Sequence, residues 1–250
     1  MYKNGKYPSV TAVLGILRKP ALEWWFKVNT AEFCDAESKK GREVGTIIHS
    51  IIQASIEKEE IKFETEYDQE VLMCLNGLTK FKKEHPELKF KRAEVEVTSE
   101  KHGFMGHLDC LGEEKKELVL VDWKTGKCDV GKVGKDGLSK EKEIPVIYPE
   151  HMYQVAAYVA VHNEQFGTKI SQAKVICFAK DKPVYTYLTI HKPVLDRMFQ
   201  EVFLPALSIL KYQQEEENAN GYNSKRSGIG SGSKTDGNGG RKSPSLPAGF

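Results

Sequence analysis

The chain has 250 residues, 40% of them hydrophobic, with 37 basic against 35 acidic side chains and a net charge of +2. That length fills one sizeable core rather than two, and the near-balance of charge excludes recruitment of a polyanion by a whole-molecule field, so any attraction to phosphate has to be local. Five scattered cysteines (Cys34, Cys74, Cys110, Cys128, Cys177) never fall in CxxC spacing, which argues against a disulfide framework, a zinc site or an iron–sulfur cluster and fits a reducing cytosol.

The opening MYKNGKYPSV lacks the apolar stretch of a signal peptide, and no run reaches the ~18 apolar residues of a membrane span. The expectation is a cytoplasmic protein with no membrane partner. Ser9 is placed to cap a short helix, and Pro20 suits the first turn of another that carries Leu22, Trp24, Trp25 and Phe26. Adjacent tryptophans on a helix point apart, so at least one of Trp24 and Trp25 is expected in the core, the other being free to stack on a base. A long helix is predicted over 37–59, where Val44, Ile47, Ile48, Ile51, Ile52 and Ile56 make one apolar stripe, and another over 68–84 with Val71, Leu72, Leu75, Leu78 and Phe81 inward.

The period then changes to two. Residues 88–98, 104–111 and 117–124 read as three strands joined by the turns EKHG and EEKK, short enough that neighbours run antiparallel. A Gly/Lys-rich loop over 125–147 leads to a helix over 149–166, two strands (AKVICFA and VYTYLTI) and a last helix over 192–212. This order gives a single α+β or α/β domain over residues 1–212. From 213 to 250 the sequence is rich in Gly, Ser, Asn and charge, a composition that buries too little surface to offset its ordering entropy, and the segment is expected to be a disordered tail.

The third strand ends VDWKTG. Alternation puts Asp122 and Lys124 on one face and Trp123 on the other. A carboxylate is a hard ligand for Mg²⁺ or Mn²⁺, and an ammonium beside it offsets charge at phosphorus and orients a water. Taken alone, a DxK pair is more often a solvated edge-strand ion pair. Support comes from the second strand, where Gly103 and Gly106 permit a turn or a close backbone approach and Asp109 lies between Leu108 and Cys110 at a half-buried position. In a hairpin through EEKK, Asp109 stands four residues before Glu113 and Asp122 six after Lys116, so the carboxylates become neighbours, an arrangement a cation would stabilise. His49 falls at the rim of the long helix's apolar stripe, a place more often structural than metal-binding, and Gln154 and Tyr158 share one face of the 149–166 helix. The run 80–92 carries six basic residues against two acidic ones, which is more often a solvated face than a phosphate-binding one.

Together, GTIIH, EVEV, GFMGHLDCL, LVLVDWKTG and QVAAY resemble, in order and spacing, the motifs of PD-(D/E)XK nucleases of the RecB-like group, over roughly residues 40–165. The resemblance implies a restriction-endonuclease-like core, a central mixed sheet of about five strands flanked by helices. It implies that His49, Asp109 and Asp122 ligate one or two Mg²⁺ or Mn²⁺ ions, with the Trp123 backbone carbonyl as a further ligand and Lys124 as the catalytic lysine. Glu96 matches an auxiliary acidic position, with an exposed ion pair as the alternative. Gln154 and Tyr158 match a QxxxY motif that supports the site and contacts DNA, and Lys127, Lys132 and Lys135 just beyond it are further DNA-binding candidates. The cysteine pattern by which CRISPR-associated members hold an iron–sulfur cluster is missing. The function so implied is a DNA exonuclease acting on single strands or ends in replication, recombination or repair. The alternatives are a structure-selective endonuclease or nickase, and a non-catalytic DNA-binding module on the same fold.

Overall fold

The computed structural model describes residues 7–60, 65–128 and 143–219. Ser9 caps α1 (Val10–Leu14), its hydroxyl accepting from the Ala12 N–H at 3.0 Å, and Pro20 opens α2 (Pro20–Val28). Neither tryptophan enters the core, contrary to expectation: α2 has no buried residue, Trp24 is 65% exposed, and Trp25 is half-buried with its ring against Phe26 and Phe33. The long helix α3 (Ala31–Glu57) begins earlier than its apolar stripe suggests. Thr30 supplies the reason, since its hydroxyl accepts from the Phe33 N–H and starts the helix before the stripe begins. Helix α4 (Asp68–Glu84) follows, and no described helix is long and apolar enough to cross a membrane.

Strands β1 (Lys89–Ser99), β2 (Phe104–Glu114) and β3 (Glu117–Gly126) form an antiparallel meander. Helix α5 (Pro149–Phe166) crosses back so that β4 (Gln172–Ala179) lies parallel to β3, and β5 (Tyr185–His191) closes the order β1-β2-β3-β4-β5. This is an α+β fold with a five-stranded mixed sheet, as the resemblance implied. The chain ends in α6 (Lys192–Met198), a π-helical turn (Phe199–Phe203) and α7 (Leu204–Ala219). The final helix thus runs past the expected end at 212, because the segment QQEEE, although polar, is made of good helix formers. Residues 220–250 of the expected tail lie outside the described residues.

Alternation along the strands builds a core on each side of the sheet. Val119, Val121 and Trp123 join Ile176 and Phe178 against α3 and α4, while Leu120, Leu108 and Val175 pack against α1, α5 and α7. Asp122 and Lys124 continue the Leu120 side of β3, and Trp123 is buried on the other. The β2–β3 hairpin turns on Lys115 and Lys116, at φ 51° and 68°. Left-handed backbone at both central positions matches a turn that favours Asn-Gly. Replacing Lys115 by Asn together with Lys116 by Gly is expected to raise stability by about 1 kcal/mol, read as a higher denaturant midpoint at unchanged slope.

Candidate metal and active site

The site forms where strands part. The β2–β3 ladder reaches only as far as Cys110 opposite Val121, and β1 and β2 skip the pairing of Glu94 with Asp109. The side-chain pattern of β2 slips here too: Leu108 faces the α5 core, Cys110 the α3 core and Leu111 the α5 core again. Asp109 therefore sits at a break, and its carboxylate replaces the missing ladder bond by accepting the Trp123 N–H at 2.8 Å. Opposite it, Glu94 has φ 47°, backbone that L residues seldom adopt.

From α3, His49 reaches this gap. Its Nδ1 lies 3.8 Å from Asp109 and 3.9 Å from Glu94, and its Nε2 lies 3.1 Å from the Trp123 carbonyl oxygen. Ligand atoms of His49, Glu94 and Asp109 all fall within 4.8 Å of one another. The β1 carboxylate in this cluster is Glu94, while Glu96, the position the resemblance implies, stands two residues on, opposite His107. Strand alternation puts both glutamates on one face, and the left-handed residue at Glu94, which sequence does not reveal, decides which one turns to His49.

Asp122 and Lys124 lie on one face, as expected, with Lys124 Nζ 2.6 Å from Asp122 Oδ2. Asp122 is wholly buried, and neither carboxylate oxygen has a hydrogen bond of good geometry among the described residues; Oδ1 lacks even the ion-pair contact. Asp122 thus meets the His49–Glu94–Asp109 cluster through its field rather than by contact. Burial pushes its carboxyl up to about 7, with the Asp109 charge adding to the rise and Lys124 opposing it. Burial would lower Lys124, but Asp122 and Asp109 outweigh it and the ammonium is favoured. For His49, burial again works downward, and Asp109 and Glu94 carry the net shift upward. An imidazole, two carboxylates and a carbonyl at one gap, with the buried Asp122 carboxylate nearby and its Oδ1 without a partner, fit a divalent cation of the Mg²⁺ or Mn²⁺ kind.

On the α5 side, Gln154 Nε2 donates to the Tyr158 hydroxyl at 3.3 Å, and Tyr158 is buried. Gly106 makes room for it: a Cβ there would meet Tyr158 Cε1 at 2.7 Å, the close approach expected of this glycine. His151, one turn before Gln154, was not singled out by sequence, although the spacing places it on the same face. Burial, Lys124 and Lys19 lower it to about 3, so it is a neutral imidazole, its Nδ1 accepting the Tyr148 N–H at 3.3 Å. Beside His49 and Glu94 lies a cavity of about 410 Å³ whose α3 wall presents Thr46, Ser50 and Gln53. Lys127 is ion-paired with Glu37 at 2.6 Å, while Lys132 and Lys135 lie outside the described residues. The basic run 80–92 straddles the end of α4 and the start of β1, with most of its lysines exposed.

No protein-family model and no curated protein sequence matches the chain. Among solved structures, it is similar to the alkaline exonuclease LHK-Exo in complex with dAMP, at 10% identity over 88% of this chain and 94% of that one, with a TM-score of 0.43. LHK-Exo from Laribacter hongkongensis also matches in a second structure at 13% identity, covering 86% and 94%, with a TM-score of 0.38. A phage related exonuclease from Haemophilus somnus matches at 11% identity, covering 84% and 96%, with a TM-score of 0.38. At such identities and TM-scores, the functional reading rests on the geometry of the site.

Proposed function

We propose that the chain is a divalent-metal-dependent nuclease that hydrolyses phosphodiester bonds of DNA, working as an exonuclease on single strands or strand ends. The observation that carries this reading is the strand fork, where His49, Glu94 and Asp109 come within 4.8 Å of one another beside the buried Asp122–Lys124 pair. Two carboxylates pressed together in a partly dry site repel unless a cation joins them. His49, Asp109, Glu94 and the Trp123 carbonyl line the gap that would hold the ion, with the buried Asp122 carboxylate beside it as the further acidic ligand.

The bound cation would supply Lewis-acid stabilisation of charge on the phosphate oxygens. The chain's own groups do the rest. Lys124, kept protonated by Asp122 and Asp109, donates toward charge that develops at phosphorus and orients the attacking water, but as an ammonium it accepts no proton. Asp109 ties the β2 break to the Trp123 amide and so fixes the carbonyl that follows it. Gln154 and Tyr158 brace the α5 wall, with Gln154 at the rim to meet the strand backbone.

The test is a digestion time course on end-labelled single- and double-stranded DNA and on circular single strands. Mononucleotide or short products are expected from linear strands with Mg²⁺ or Mn²⁺, abolished by EDTA and restored by excess metal. Absence of cleavage with either metal would overturn the reading, and cutting of circular strands would replace the exonuclease mode with an endonuclease one.

A further inference from the structure

A second cavity, of about 420 Å³, opens where the parallel strands β3 and β4 end, and its wall is made by Lys40, Glu70, Met73, Lys127, Lys180 and Asp181. Two of its three lysines are satisfied: Lys40 pairs with Glu70 and Lys127 with Glu37. Asp181 is engaged as well, accepting the Cys128 N–H at 3.0 Å.

Lys180 differs. It is only 9% exposed, yet among the described residues its ammonium makes no hydrogen bond and no ion pair, and it lines the cavity. Its backbone N–H is fixed on the Gly126 carbonyl at 2.8 Å, which anchors the main chain beside the cavity. A largely buried ammonium that no carboxylate contacts directly is a costly feature for a fold, and burial together with the nearby Lys127 depresses its pKa while Glu37 opposes the shift through space. A bound anion removes both penalties. Lys127 follows Lys124 by three residues, about 10 Å along an extended chain, a span on the order of two to three nucleotides of a strand.

We propose that this cavity binds a phosphate group of the substrate strand away from the scissile bond, with Lys180 as its principal donor and Lys40 and Lys127 framing it. The proposal rests on the nuclease reading and extends it to how the strand is gripped. The phosphate is either an internal backbone group or a terminal one, and the two share the same chemistry.

Lys180→Met keeps an unbranched buried stem and removes only the charge. Its affinity for a single-stranded oligonucleotide, measured with Ca²⁺ in place of Mg²⁺, is expected to fall about tenfold, the loss of one charged hydrogen bond. The dependence of log Kd on log salt is expected to flatten by about 0.7, the share of one phosphate contact on a single strand. KM should rise about as much as Kd with turnover at saturation within about twofold, and Lys180→Arg should restore the wild-type salt slope. Oligonucleotides with 5′-phosphate, 5′-hydroxyl or 3′-phosphate ends, and a circular strand, identify the source. A penalty confined to one phosphorylated end names a terminal phosphate, and an equal penalty on all four names an internal one. A folded Lys180→Met protein that cleaves DNA with unchanged affinity and salt slope would overturn the subsite and leave the nuclease reading standing. A wild-type protein that neither binds nor cuts the oligonucleotides would overturn both.

Discussion

Replacing Lys124 by alanine is expected to lower DNA cleavage by about 10²–10³-fold or more while the protein stays folded and still binds single strands. The ammonium is held 2.6 Å from Asp122 and is favoured in its charged form, so its removal takes away a fixed positive charge beside the fork. The fold tolerates the loss for a definite reason. Burial already pushes Asp122 to about 7, so without Lys124 beside it the carboxyl takes up a proton instead of remaining a bare charge in the interior. Lys124→Met, which keeps the buried stem, should match the alanine variant in activity and exceed it in stability, and that difference separates packing from chemistry. The checks are single-turnover cleavage of an end-labelled strand, binding of the same strand, and thermal unfolding. A purified Lys124→Ala protein with undiminished cleavage would remove this lysine from the chemistry and, with it, the reading of the DxK pair.

Most of the fold was legible because its signals are local. The isoleucine stripe of α3, the alternation in LVLVDWK and the glycine at 106 each carry their physical reason within a few residues, and β3, α5 and the antiparallel meander follow from them. Asp122 and Lys124 share a face by alternation alone, and the hairpin count brings Asp109 to the same level. What sequence does not carry is the break. Nothing in EVEV announces that Glu94 takes a left-handed conformation, and alternation leaves Glu94 and Glu96 equivalent until that φ is known. Lys180 is hidden for a similar reason: one lysine in FAKDKP looks like any solvated turn residue, and only the packing of α3 and α4 over the end of β4 encloses it. The expectation that at least one of Trp24 and Trp25 enters the core failed in the opposite direction. A tryptophan on a helix is expected to bury its ring, but α2 packs no side chain into the core, so its propensity to enter the interior was never used.

Asp109 carries two roles that substitution can separate, and the largest combined effect is expected there. Its Oδ2 accepts the Trp123 N–H at 2.8 Å, and its Oδ1 stands 3.8 Å from His49. Asp109→Ala removes both, leaving the amide of a buried strand residue without an acceptor, at a cost of about 1–3 kcal/mol, and removing one carboxylate from the candidate cation site. Asp109→Asn keeps a carbonyl oxygen of the same reach for the Trp123 amide and removes only the charge. Both variants are therefore expected to lose cleavage by about 10² fold or more, while only the alanine variant unfolds earlier in denaturant. Mg²⁺ should raise the melting temperature of the wild type, as any ligand that binds the folded state alone does, and this rise should be absent in the asparagine protein despite its near-normal stability without metal. If Asp109→Asn still gains stability from Mg²⁺ and still cuts DNA, the carboxylate serves the fold and not the ion, and the fork is a structural break rather than a metal centre.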